Sequence, residues 1–252
     1  MSQQEDRLFG LIGYPLSHSF SASYFNRKFE NEAFPNCSYH NFEMPSISGL
    51  PTLIEELPTL VGLNVTIPHK QSVMQLMTNL DPVAEKVGAV NTIRIERKSG
   101  ETILAGYNTD VMGFELSLKS FIGQLKPRAM VLGTGGASRA VRFVLEKLEI
   151  PITLISRKES NNTLSYSQLD QSIIQNHHLI INCTPLGTWP NVDAFPPIPY
   201  EGIHQQHFLF DLVYNPETTR FLALGSERGA SIRNGLEMLI GQAEAAWQIW
   251  NR

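Results

Sequence analysis

The chain has 252 residues, 42% of them hydrophobic and 17% charged, which is ordinary for a soluble protein with one large α/β unit or two smaller domains. Its formal net charge of −4 and its pI of about 6.0 give no support for a polyanionic partner such as nucleic acid. The two cysteines are far apart and no CxxC or HExxH spacing occurs, so neither a disulfide framework nor a bound metal is expected.

No apolar run in the sequence approaches the length that a membrane helix needs. Residues 1–7 are polar and lack the apolar stretch of a signal peptide. We therefore expect a cytoplasmic protein with no membrane partner.

Short apolar runs alternate with amphipathic stretches through the first half of the chain. Strands are predicted at residues 8–13, 38–42 and 60–67, and helices at 21–29 and from about 69 to 77. Residues 91–96 and 102–104 alternate between apolar and polar types on either side of a turn, which predicts a hairpin.

From about Val111 the pattern changes to apolar strands that alternate with helices. Helices are predicted at residues 111–121, 139–148 and 236–250. Strands are predicted at residues 129–132, 152–155, 179–183, 208–213 and 230–232. Because these strands are apolar on both faces, the pattern indicates a parallel, doubly wound sheet of the Rossmann type.

A glycine-rich loop follows the strand at 129–132 and opens the next helix. It contains Gly133, Gly135, Gly136 and Ala137. Glycines allow the backbone to approach a pyrophosphate, and the helix N-terminus adds unpaired N–H groups and partial positive charge. We favour a dinucleotide site over a purely structural tight turn, which is the alternative interpretation of the same residues.

The end of the following strand bears on the choice of nicotinamide cofactor. An NAD site usually has an acidic residue about twenty residues past the glycine loop, where it accepts hydrogen bonds from the ribose. This sequence has Ser156, Arg157 and Lys158 instead. The two cations suit a 2′-phosphate, so NADP is predicted; a solvated basic turn is the alternative.

Hydroxyl groups gather at the first strand-to-helix turn, where they include Ser19 and Ser21. Either serine is able to cap the helix that follows. The same hydroxyls lie at the positive end of the helix dipole and are also able to bind a small carboxylate.

A second polar group follows the strand at 60–67. Asn64 and Thr66 share one strand face, and Lys70 comes shortly after Pro68. A lysine in such a position is normally a solvated surface group. A carboxylate beside it, such as that of Asp110, would instead hold its ammonium in place as a proton donor.

Taken together, these segments resemble the shikimate dehydrogenase family. The matching segments occur in the family's order over nearly the whole chain: HSFS at 18–21, NVTIPHK at 64–70, GAVNT at 88–92, NTD at 108–110, the glycine loop, INCTPLG at 181–187, DLVYNP at 211–216 and GLEMLIGQ at 235–242. The resemblance implies the reversible NADPH-dependent reduction of 3-dehydroshikimate to shikimate, a step of chorismate and aromatic amino-acid biosynthesis.

The resemblance also implies roles for individual residues. Lys70 and Asp110 would form the catalytic pair. The residues that would bind the substrate are Ser19, Ser21, Asn64, Thr66, Asn91, Tyr214 and Gln242. Those that would bind NADP are Gly133, Gly135, Gly136, Ala137, Ser156, Arg157, Lys158, Thr184 and Gly235.

The sequence departs from the family's pattern at a few positions. Ala22 and Phe25 replace a usual proline and histidine near the second serine, and neither is expected to affect the chemistry. Asn161 stands in place of a usual cation near the 2′-phosphate. Thr188 replaces a usual methionine and precedes Trp189, so we expect different packing around the nicotinamide.

The expected architecture is two α/β domains with the active site in the cleft between them. Residues 1–110 with 236–252 would form the substrate and catalytic domain, and residues 111–235 the Rossmann-type NADP domain. The alternatives are a quinate/shikimate dehydrogenase paralogue that uses NAD, and a non-catalytic, ligand-binding regulator on the same fold. Either a monomer or a homodimer is compatible with the sequence.

Overall fold

The computed structural model describes residues 5–16, 20–160 and 162–252. By its contacts the chain divides into two compact units, Met1–Thr109 with Ala243–Arg252, and Asp110–Gln242. The described part of each unit contains one six-stranded sheet. The sequence-based domain boundaries, which set the second break at residue 236, stay a prediction.

The helices and strands are numbered in chain order. The strands are β1 (Arg7–Gly13), β2 (Cys37–Glu43), β3 (Leu60–Val65), β4 (Asn79–Leu80), β5 (Thr92–Lys98), β6 (Glu101–Tyr107), β7 (Ala129–Leu132), β8 (Ile152–Ser156), β9 (Leu164–Ser165), β10 (Leu179–Asn182), β11 (Phe208–Asp211) and β12 (Ser231–Arg233). The α-helices are α1 (Phe20–Asn31), α2 (Leu50–Glu56), α3 (Pro82–Val87), α4 (Asp110–Ile122), α5 (Gly136–Lys147), α6 (Gln171–Gln175), α7 (Arg220–Ser226) and α8 (Leu236–Trp250). Among the described residues, no helix combines the length and apolarity needed to span a bilayer.

The sheet of the first unit is mixed, with the order β2-β1-β3-β5-β6-β4. β1 pairs in parallel with β2 and β3, whereas β5 pairs antiparallel with β3 and β6. Parallel neighbours require crossover connections, which α1 and α2 supply. The predicted hairpin is confirmed: β5 and β6 meet at Ser99 and Gly100, whose φ angles of 54° and 84° suit a tight hairpin turn.

The predicted helix over residues 69–77 is wrong. Only a 3-10 turn forms, over Ser72–Leu76, and β3 ends at Val65 rather than at residue 67. The Lys70 carbonyl accepts a hydrogen bond from the Val90 N–H at 2.7 Å, so this carbonyl is drawn away from the next helical turn. A tertiary hydrogen bond therefore overrides the local helical pattern.

The C-terminal end of α8 packs on the first sheet through Trp250, which is 4% exposed. Its indole nitrogen donates to the Ile93 carbonyl at 3.0 Å, and its ring lies 4.9 Å from that of Phe9. A Cβ at Gly62 would come within 2.5 Å of the indole, so only glycine leaves room for this side chain. This contact attaches residues 243–252 to the core of the first unit.

The sheet of the second unit is parallel throughout, with the order β12-β11-β10-β7-β8-β9. β7 and β10 are neighbours although β8 and β9 lie between them in the chain. The strand order therefore reverses at this pair, which is where doubly wound sheets bind their ligands. The predicted Rossmann-type sheet is confirmed.

Replacement of Trp250 by alanine should lower the free energy of unfolding by roughly 3–5 kcal/mol, because it leaves a cavity and removes the indole donor from Ile93. Urea denaturation followed by circular dichroism measures the change. Trp189→Ala is the matched control, since Trp189 is 57% exposed and its loss should cost less than about 0.5 kcal/mol. Equal losses in the two variants would contradict the structural role of Trp250.

Candidate functional site

Buried hydrogen bonds join four polar side chains in the first unit. Ser21, in the first turn of α1, donates to the Tyr39 hydroxyl, which donates to Asn64 Oδ1 at 2.8 Å. The Asn64 amide nitrogen donates to the Asn91 carbonyl at 3.4 Å and to Thr92 Oγ1 at 3.2 Å. Burial raises the pKa of Tyr39, so its hydroxyl stays neutral and remains a donor. The network fixes which end of the Asn64 amide faces which neighbour.

Tyr39 is held from both its ring and its backbone. The ring stacks on Phe25, with centroids 4.7 Å apart and planes 11° from parallel. The Asn26 side chain bonds both the N–H and the carbonyl of Tyr39, each at 3.0 Å. Sequence reasoning missed Tyr39; the available signal was a tyrosine within a strand, since a buried phenol needs a hydrogen-bond partner.

The Asn91 side chain, 2% exposed, is oriented by donors that converge on its oxygen. Oδ1 accepts from the Thr109 N–H at 2.7 Å, from the Thr109 hydroxyl at 3.1 Å and from the Thr92 hydroxyl at 3.2 Å. Because the carbonyl end of the amide is committed to these donors, the amide nitrogen must point the other way.

Thr66 and Lys70 lie just beyond β3, and both are half-buried. The Thr66 N–H donates to the Ile12 carbonyl at 2.9 Å. A Cβ at Gly13 would approach Thr66 Cγ2 to 2.4 Å, so the glycine is what allows this close packing. The Lys70 carbonyl accepts from the Val90 N–H, so the Lys70 backbone is held beside the residue that precedes Asn91.

The remaining predicted substrate and catalytic residues are distributed as follows. Ser19 lies outside the described residues. Asp110 begins α4 and is buried, and it belongs to the second unit together with Tyr214 and Gln242. Burial raises the pKa of the Tyr214 hydroxyl, and Gln242 Nε2 donates to the Leu239 carbonyl at 3.0 Å. The first unit by itself therefore brings together only part of the predicted substrate site.

The glycine loop of the second unit is shaped for close approach. Gly133 has a φ of 101°, which L side chains rarely adopt, and a Cβ there would lie 3.0 Å from Thr184 Cγ2. Beside Gly135 and Gly136 a Cβ would meet no heavy atom within 4 Å. Gly136 and Ala137 begin α5, so its unpaired N–H groups adjoin open space. This geometry fits a pyrophosphate.

The turn after β8 presents two cations to solvent. The Ser156 hydroxyl donates to the Lys158 carbonyl and accepts from the Lys158 N–H at 3.3 Å, which holds the turn. Arg157 and Lys158 are both exposed. They are thus available to an anionic ligand such as a 2′-phosphate. Asn161, at the position of the usual later cation, lies outside the described residues.

A buried carboxylate organises the carboxyl ends of β10 and β11. Asp211 accepts from the Asn182 amide at 3.0 Å, the Val213 N–H at 3.0 Å and the Thr219 hydroxyl at 2.6 Å. Asn182 Oδ1 accepts from both the N–H and the hydroxyl of Thr184, at 3.0 Å and 2.6 Å. Burial raises the pKa of Asp211 to about 6. Sequence reasoning gave Asp211 no role, although it lies in a segment that resembles the family.

Gly235 brings the start of α8 against the end of β11. Its N–H donates to the Val213 carbonyl at 3.0 Å, and a Cβ there would lie 2.1 Å from the Leu212 carbonyl oxygen. Only glycine permits this approach, which accounts for its position at this edge of the sheet. In the part of the chain that the structure describes, no group of three or more His, Cys, Asp or Glu side chains is arranged to hold a metal ion.

Comparison with known proteins identifies close relatives. Residues 11–93 match the family described as the shikimate dehydrogenase substrate binding domain. A shikimate dehydrogenase (NADP(+)) of Methanococcus aeolicus is 36% identical over 267 residues, covering 99% of this chain and 94% of that protein. One from Clostridium beijerinckii is 38% identical over 252 residues, covering 96% of this chain and 91% of that protein.

A solved structure from the same family is also similar to this chain over nearly its whole length. The shikimate 5-dehydrogenase of Thermus thermophilus, in complex with NADP(H) and shikimate, has a TM-score of 0.84 with this chain. It is 30% identical, and the match covers 97% of this chain and 93% of that one. The similarity therefore extends over both sheets.

The raised pKa of Asp211 should make stability depend on pH. Its folded value of about 6 exceeds the ordinary 3.8, so the folded protein binds this proton more tightly than the unfolded chain does. The resulting stabilisation is complete below the ordinary value and is lost as the pH rises through about 6. Relative to Asp211→Asn, the wild type should lose about 1 kcal/mol of unfolding free energy between about pH 5 and pH 7.

Urea denaturation of both proteins at the two pH values measures this difference. The buried His177 and His207, whose lowered pKa values give the opposite slope, are common to both proteins and cancel in the comparison. Parallel pH dependences for the wild type and Asp211→Asn would rule out titration of Asp211 in this range.

Proposed function

Because this chain belongs to the shikimate dehydrogenase family, we propose that it catalyses the reversible, NADPH-dependent reduction of 3-dehydroshikimate to shikimate. The similarity of nearly the whole chain to shikimate dehydrogenases that use NADP carries this proposal. The reaction is a step of chorismate and aromatic amino-acid biosynthesis. A cytoplasmic location and a monomeric or homodimeric state remain predictions.

The polar residues of the first unit suit a small polyhydroxylated acid. Ser19 would donate to the substrate carboxylate, with Tyr214 as a further donor, and the Ser21 hydroxyl would turn from Tyr39 to join them when the substrate binds. Asn64 and Asn91 have amides whose orientation is already fixed by internal hydrogen bonds, which suits them to select ring hydroxyls. Thr66 and Gln242 would complete the substrate contacts.

Lys70 and Asp110 are the proposed catalytic pair. Bound NADPH supplies the hydride for the C3 carbonyl carbon. The Lys70 ammonium would donate a proton or a hydrogen bond to the carbonyl oxygen as negative charge develops there. The Asp110 carboxylate would hold the ammonium in place, and in the reverse direction Lys70 would accept the hydroxyl proton.

The second unit supplies the proposed cofactor site. Gly133, Gly135, Gly136 and Ala137 would receive the pyrophosphate at the N-terminus of α5. Ser156, Arg157 and Lys158 would hold the 2′-phosphate, while Thr184 and Gly235 lie on the side of β10 and β11. The exposed cations after β8 favour NADP over NAD, and hence oppose an NAD-using quinate/shikimate paralogue.

Substitution of Lys70 by alanine should lower kcat by roughly 100- to 10,000-fold and leave KM for shikimate nearly unchanged, because the proton donor acts mainly in the transition state. Ser21→Ala should instead raise KM. Steady-state kinetics of shikimate oxidation separate the two effects. Lys86→Ala, at an exposed lysine of the same unit, is the matched control. Equal changes of kcat and KM in both site variants would refute the division of roles.

Shikimate-dependent reduction of NADP and NAD, measured side by side at the nicotinamide absorbance, tests the function itself. We expect faster turnover with NADP, and Arg157→Ala should weaken the use of NADP far more than that of NAD because the 2′-phosphate loses its partner. Arg142→Ala, an exposed arginine on α5, is the control. Folded protein that binds shikimate without turnover would favour the regulator, and turnover of quinate with NAD would favour the paralogue.

A further inference from the structure

The Asp211 carboxylate is fully buried and uses its acceptor capacity inside the protein. One oxygen accepts from the Asn182 amide and the Val213 N–H, and the other accepts from the Thr219 hydroxyl. A carboxylate with such partners is unable to touch the cofactor or the substrate. Any influence on the reaction must pass through the groups that it holds.

Asn182 is the first of these groups. It pairs directly with Asp211 across the neighbouring strands β10 and β11. An ionised carboxylate only accepts hydrogen bonds, so it forces the amide nitrogen of Asn182 to face it and the amide oxygen to face away. A flipped amide would set oxygen against carboxylate and its nitrogen against the Thr184 N–H. Asp211 therefore selects one of the two amide orientations.

Thr184 depends on that orientation. The outward-facing oxygen of Asn182 accepts from both the backbone N–H and the hydroxyl of Thr184. With its hydroxyl fixed, Thr184 directs Cγ2 toward Gly133 of the glycine loop, 3.0 Å from where a Cβ would stand. Asn182 and Thr184 thus connect the buried carboxylate to the loop at which the strand order reverses.

From its position in the sheet, Thr184 would lie beside one half of a bound dinucleotide. In a doubly wound sheet the adenosine half lies over the first crossover, here β7 to β8, where Arg157 is exposed. The nicotinamide half extends to the other side of the switch point, over β10 and β11. Asp211, Asn182 and Thr184 all belong to that second side.

We propose that Asp211 is a positioning residue for the nicotinamide half of NADP, acting through the amide of Asn182 on Thr184. The proposal rests on the proposed cofactor. Without the carboxylate, the Asn182 amide is free to rotate and Thr184 loses its fixed acceptor. The adenosine half, held on the β8 side, depends on none of these bonds.

Binding at the two halves of the cofactor site is measured separately with two ligands. NADPH occupies both halves, whereas 2′,5′-ADP contains only the adenosine part with its 2′-phosphate and a single 5′-phosphate, and lacks the nicotinamide half. Asp211→Ala should weaken NADPH binding by about tenfold or more and leave binding of 2′,5′-ADP within about twofold. Asp211→Asn, which keeps an acceptor oxygen for the Asn182 amide, should restore most of the NADPH affinity. Isothermal titration calorimetry with each ligand measures these changes.

Equal weakening of both ligands would overturn the positioning role, because it would indicate general damage to the unit, and so would unchanged NADPH affinity. If Asp211→Ala fails to fold, Thr219→Val removes one donor from the carboxylate with little change of shape. It should weaken NADPH several-fold and leave 2′,5′-ADP unaffected, and no difference would again overturn the role. A wild type that binds neither ligand would refute the cofactor itself, together with this inference.

Discussion

A polar side chain that leaves water must find its hydrogen-bond partners within the protein, and both groups of candidate site residues are built around this requirement. In the first unit, Tyr39 lies between Ser21 and Asn64 and gives each a fixed partner. In the second unit, Asp211 accepts hydrogen bonds from Asn182, at the end of β10, and from Thr219, at the start of α7. The polar groups offered to a ligand are therefore the outer members of networks whose inner members are buried.

Such networks lower the free-energy cost of recognition. An amide that has already lost its freedom to flip loses little further entropy when a ligand arrives, and a donor fixed in place stabilises developing charge without reorganising. The glycines also help to fix the positions of the site residues, because they allow close packing. At Gly13 and Gly235 the absence of a side chain lets backbone and functional groups pack at distances that any Cβ would prevent.

Sequence patterns anticipated the features whose cause is local. The β5–β6 hairpin follows from alternation and from a turn that tolerates positive φ, and the parallel sheet follows from strands that are apolar on both faces. The predicted helix at residues 69–77 failed because the Lys70 carbonyl binds Val90, twenty residues away in the chain. The sequence patterns did not identify Tyr39 and Asp211 for a related reason. Each of them acts through hydrogen-bond partners that are distant in sequence.

The sequence by itself determined the α/β class, the glycine loop at the start of a helix, the cations after β8 and the resemblance to one enzyme family, because each depends on residues close together in the chain or on the order of short segments. Only the tertiary structure decided which amide faces which donor and which carboxyl group is buried. Register and strand order bring Asn182 beside Asp211 and Tyr39 within reach of Asn64. Hydrogen bonds act over about 3 Å, and only the folded chain brings such distant residues that close.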